Sequence, residues 1–150
     1  MRAMVSGFAW RVRTHVFRWL RDRASMPSPP AIAAGLGESP DRVNRALAAL
    51  AAAHVLVLDP DGSVLMAHPF AGAPTGFRVE TPRGSYEANC AWDAIAIPLI
   101  LGTDGTTATR CPATGEAFDL TVLDGVVGPT RSVVRFPVPA RRFWDDIHFT

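Results

Sequence analysis

Tyr86-Glu87-Ala88-Asn89-Cys90-Ala91-Trp92-Asp93-Ala94-Ile95-Ala96-Ile97-Pro98 sets a thiol and a carboxylate three residues apart at the start of an apolar run. The run predicts a helix over about 87–101, which Pro98 kinks or ends. Helical positions three apart share a face, so Cys90 and Asp93 point the same way. A thiolate holds a soft metal or attacks an electrophile, and a carboxylic acid beside it can deliver a proton. A helix start is expected to lower the Cys90 pKa, and apolar surroundings to raise that of Asp93. The plain alternatives are a cysteine buried as a small hydrophobe and a first-turn aspartate on the surface.

On the N-terminal side, Phe8, Val12, Val16, Trp19 and Leu20 recur at helical spacing and predict an amphipathic helix over 6–22. Ser28-Pro29-Pro30 and Ser39-Pro40-Asp41 each read as a cap followed by a first-turn proline. They predict a short helix ending near Gly35 or Gly37 and a longer one over 40–53, with Val43, Ala46, Leu47 and Leu50 buried. A hairpin follows, 54–58 and 63–66 around Asp59-Pro60-Asp61-Gly62. Three helices and a hairpin outline a winged-helix-like unit. Its third helix offers Arg42, Asn44 and Arg45, which makes DNA an alternative partner, although phosphate binding needs more clustered cations.

On the C-terminal side, a Pro- and Gly-rich stretch over 69–76 leads to strands expected at 77–81, 106–110, 118–123 and 131–138. The division is therefore 1–68, winged-helix-like, and 69–150, mixed α/β, an α+β fold in which the helical unit packs on a small α/β part. Trp92 and Trp144 are candidates to wall an apolar pocket. Asp145, Asp146 and His148 offer metal donors, but alternation along an extended stretch would spread them over two sides. No P-loop, dinucleotide fingerprint or four-ligand zinc pattern is present.

Hydrophobic residues make up 48% of the 150, which argues against disorder throughout. Residues 1–50 carry eight arginines against three acids, and 51–150 seven against eleven, so the basic charge lies on the helical unit. Two cysteines make no disulfide framework, and a reducing, cytoplasmic setting is the expectation. No stretch reaches the roughly 18 uninterrupted apolar residues of a membrane span.

Asn89-Cys90-Ala91-Trp92-Asp93, the helix closing in Ile97-Pro98-Leu99-Ile100, and Arg110-Cys111-Pro112-Ala113-Thr114-Gly115 together resemble the alkylmercury lyase (organomercurial lyase) family. The likeness runs from about residue 28 to the end and includes the order of the two units. It implies protonolysis of a carbon–mercury bond, with Cys90 as the first catalytic thiolate, Asp93 as proton donor and Cys111 as a structural cysteine. The family's second catalytic thiol belongs to a segment that corresponds here to Phe143-Trp144-Asp145-Asp146-Ile147-His148-Phe149. Trp144 and Asp145 stand where thiols are expected, so the chain resembles a divergent member without the second catalytic cysteine. The implied mercury ligands are Cys90, Asp93 and Asp145, with no resident cofactor but a small-molecule thiol needed from solution. The implied partner is a small organomercurial or soft-metal ligand. The alternative is a non-catalytic relative that binds or senses a soft metal or small electrophile, with a DNA-binding regulator behind it.

Overall fold

Three serines open three helices in the computed structural model, which describes residues 5–111, 113–129 and 132–147. The helices are α1 (Gly7–Arg23), α2 (Pro29–Leu36) and α3 (Pro40–Ala52). Ser6, Ser28 and Ser39 each accept a backbone N–H three residues on, at 3.2, 3.3 and 3.4 Å. Such a bond satisfies a donor the helix itself leaves open and is worth about 1 kcal/mol. Val12, Val16 and Leu20 of α1 meet Val43, Leu47 and Leu50 of α3 in a fully buried seam. Phe8 and Trp19 lie at its flank, only partly covered. Arg42 sits over Phe8 at 4.2 Å and Arg23 over Trp19 at 4.0 Å.

The expected hairpin is β1 (Val57–Leu58) and β2 (Val64–Ala67), and a short β3 (Phe70–Ala71) adds a third strand beside β2. Asp59 accepts the N–H groups of Asp61 and Ser63 to tighten the turn. The second sheet is antiparallel throughout and contains β4 (Arg78–Thr81), β5 (Gly84–Glu87), β6 (Gly105–Arg110), β7 (Ala117–Leu123) and β8 (Val126–Val127), in the order β5-β4-β6-β7-β8. One helix, α4 (Ala91–Leu101), packs across β4, β6 and β7. The helical unit thus packs against a mixed α/β part, as the pattern of elements predicts. No helix among the described residues is long and apolar enough to cross a membrane.

Three expectations change here. Residues 84–87 form a strand, not a helix start, because Tyr86 and Glu87 pair with Val79 and Arg78 and bury Tyr86. The helix begins only at Ala91 and runs three residues past Pro98 to close on Gly102 at φ 61°. Residues 132–138 carry no strand; Pro137 and Pro139 supply no N–H for a ladder. They are followed by a 3₁₀ turn over Ala140–Asp145 where an extended stretch was expected. His148, Phe149 and Thr150, like Arg131, lie outside the described residues.

Phe70 and Tyr86 join the two parts. Their rings lie 5.7 Å apart, Phe17 of α1 meets Phe70 edge-on, and the Tyr86 hydroxyl donates to the Arg21 carbonyl at 3.2 Å. An isolated antiparallel bridge between Phe70 and Ala88 brings the end of the first sheet against the residues just before α4. The height of α4 above the second sheet is set by Gly105, where an added Cβ would come within 2.8 Å of the Pro98 ring. We expect Gly105→Ala to push α4 off the sheet and cost about 1–3 kcal/mol. The urea midpoint measures this, and an unchanged midpoint would show that the contact does not seat the helix.

Candidate functional site

Cys90 is the N-cap of α4, in extended backbone at φ −158°, and Asp93 is in its first turn. Both line a cavity of about 870 Å³. One wall comes from the end of the first sheet, through Met66 and His68. Another comes from the described part of the C-terminal segment, where Phe136 and Phe143 stand 5.1 Å apart and Phe136 meets Trp92 at 6.4 Å. The cavity is therefore mainly apolar, with Asn89, Cys90 and Asp93 at the start of α4, His68 on the first-sheet wall and Arg135 on the C-terminal segment as its polar groups.

The acid is held from two sides. Asn89 Nδ2 donates to Asp93 Oδ2 at 2.9 Å, and His68 Nδ1 lies 3.6 Å from the same oxygen and 3.3 Å from Asn89 Nδ2. The Asp93 side chain is only 14% exposed. Asn89 Oδ1 is buried and accepts no hydrogen bond among the described residues, a cost that the grip on Asp93 offsets only in part. Neither residue was singled out from the sequence as part of the site. The Asn89–Asp93 spacing of one helical turn is a signal that was there to be read. His68 gives none, because only the Phe70–Ala88 bridge carries it across to Asn89.

Burial pushes the half-buried Cys90 thiol above the ordinary cysteine range, and the charge of Asp93 adds to that. The N–H groups of Asp93 and Trp92 at the helix start favour the thiolate without prevailing. This reverses the expected lowering, since desolvation outweighs the helix terminus here.

The remaining candidates are dispersed. Trp92 lines the cavity but is 59% exposed. Trp144 is stacked flat on His54 at 4.2 Å, edge-on to His68, and does not line the cavity. Asp145 is exposed, ion-paired with Arg142 at 2.8 Å, and does not line the cavity. Cys111 sits where β6 leads into the turn to β7, its thiol lowered by the Thr114 hydroxyl and by the N–H groups of Thr114 and Ala113. It lines no part of the cavity, and both cysteines are free thiols. Among the described residues no three His, Cys, Asp or Glu side chains converge as a metal site.

Since the Asp93 charge helps to keep Cys90 protonated, Asp93→Asn is expected to lower the thiol pKa. The pH dependence of Cys90 alkylation in a Cys111→Ser background reads this directly. A profile that stays put or moves to higher pH would contradict the electrostatic account.

The fold has relatives among known proteins. The crystal structure of the mercury-bound form of MerB2 is similar, with a TM-score of 0.68 at 20% sequence identity, over 85% of this chain and 61% of that one. The chain thus spans about three fifths of that relative's length. No curated protein matches the chain. The family model described as MerB, alkylmercury lyase, matches residues 70–150, more than half of the sequence and all of α4 with its Cys90 and Asp93, and the chain belongs to the alkylmercury lyase family.

Proposed function

We propose that this protein cleaves carbon–mercury bonds by protonolysis, with Cys90 as the mercury-capturing thiolate and Asp93 as the proton donor. The observation that carries the reading is the placing of these two groups on one helix start, facing a mainly apolar cavity. Family membership and the likeness to a mercury-bound relative support it.

The raised Cys90 pKa gives the chemistry an order. A thiol reluctant to ionise passes its proton to the Asp93 carboxylate as its sulfur bonds to mercury and the incoming small thiolate leaves. Asp93 is then a neutral acid next to the carbon–mercury bond. When that bond breaks, its electron pair takes the Asp93 proton and the hydrocarbon departs. Asn89 and His68 hold one carboxyl oxygen, which leaves the other to turn toward the sulfur and the carbon. The apolar walls receive the organic group and keep water from competing.

The functional division we adopt is 1–68 as the winged-helix-like unit and 69–150 as the part that carries Cys90 and Asp93. The first unit still contributes, since Met66 and His68 line the cavity. DNA binding is not favoured: Arg42 of α3 is paired with Glu38 at 2.7 Å and lies over Phe8. The second reading, a relative that binds a soft metal without cleaving, is favoured by the single cysteine in the cavity. Asp145, with its own arginine, is a poor replacement for a second thiol, and a small thiol from solution has to help.

Benzene release from phenylmercury in excess small thiol distinguishes the two. We expect turnover that Cys90→Ala abolishes and that Asp93→Ala reduces about 10²–10⁴-fold. One-to-one mercury uptake through Cys90 with no benzene would establish the binding relative instead.

A further inference from the structure

The cavity holds one thiol, yet mercury(II) is a soft ion that sulfur donors suit best. Among the described residues that line the cavity, only one other sulfur is present, the thioether of Met66. Met66 belongs to β2, paired with Val57 on one side and Ala71 on the other, and it is half-buried. It reaches the cavity from the wall that also carries His68, whose ring lies 3.6 Å from the Asp93 carboxylate. A methionine side chain has three rotatable bonds and a polarizable sulfur, so it can follow a ligand within an otherwise stiff wall.

We infer that Met66 is the second mercury donor, forming with Cys90 a thiolate–thioether seat for the organomercurial substrate and for the ion that remains. The inference rests on the reading of Cys90 as the capturing thiolate. While the carbon–mercury bond is intact, the Met66 lone pair adds electron density to mercury and makes the carbon easier to protonate. When the bond breaks, the carbon takes the Asp93 proton, mercury stays on the Cys90 sulfur as a cation, and Met66 occupies the vacated side. The carboxylate left on Asp93 balances the new charge. A thioether carries no charge and holds mercury more weakly than a thiolate. The ion therefore passes readily to a thiol from solution, which suits a site with one cysteine.

The test uses the full chain as Cys111→Ser, with methyl-¹³C methionine, in buffer free of thiols. One equivalent of mercuric chloride is expected to shift the Met66 methyl signal, identified by its loss in Met66→Leu, while that of Met26 stays in place. Mercury X-ray absorption is expected to give two sulfur neighbours. Met66→Leu conserves volume and is expected to weaken mercury retention against a competing small thiol about tenfold. Uptake through Cys90 with one sulfur neighbour and an unmoved Met66 methyl would overturn the inference and leave the role of Cys90 intact. No uptake in this protein, or undiminished uptake after Cys90→Ser, would overturn both. The absorption measurement needs no variant of Met66 and decides the question even where Met66→Leu does not fold.

Discussion

The close approach of Pro98 to Gly105 seats the helix that carries Cys90 and Asp93. A proline ring in a helix interior forfeits a hydrogen bond and crowds the preceding turn. Here the ring is buried against the one residue of β6 that has no side chain to refuse it. Ile97 and Ala94 are buried on the same side of α4, so the helix cannot roll without exposing them. The Phe70–Ala88 bridge ties down the chain just before the first turn. Cys90 and Asp93 face the cavity because the apolar end of their helix is fixed.

A second constraint is electrostatic. The Cys90 thiol stands within one helical turn of the Asp93 carboxylate in a half-buried place, and burial and that charge both disfavour the thiolate. The Asn89 amide donates to the Asp93 carboxyl, whereas no donor at the thiol outweighs its burial. The Cys90 thiol therefore holds its proton more tightly than an ordinary cysteine does. In the proposed reaction, capture of a soft electrophile removes that preference, because a sulfur bonded to mercury no longer needs the proton, and the proton is released where the proposed next step consumes it.

The helical unit was legible because its signals are local. Ser-Pro pairs cap helices whatever follows, and the stripe of α3 fell on the four residues that are buried. The second part was less legible wherever distant pairing decided the outcome. Tyr86 and Glu87 read as the approach to a helix, but β4 captures them as a strand. Residues 132–138 looked extended and hydrophobic, yet prolines deny them a ladder and they border the cavity. Cys90 and Asp93 could be named from spacing and resemblance, whereas the direction of the Cys90 pKa could not, since it depends on burial by elements far along the chain. His68 is 21 residues from Asn89 and had no motif to mark it.

The aromatic residues show why part of the site resisted a reading by position alone. Trp92 and Trp144 suggested two walls of one pocket, but the wall beside Trp92 is Phe136, with Phe143 behind it. Trp144 turns to the helical unit and stacks on His54, which follows α3 directly. The 3₁₀ turn that separates Phe143 from Trp144 sends neighbouring rings to different partners, one to the cavity and one to the scaffold. A segment tied down in this way lines the space beside Cys90, through Val133, Val134, Phe136 and Phe143 among its described residues. The opposite side of the space, where β2 ends, is lined by Met66 and His68, and Asp145 and Asp146 of the C-terminal segment do not line it.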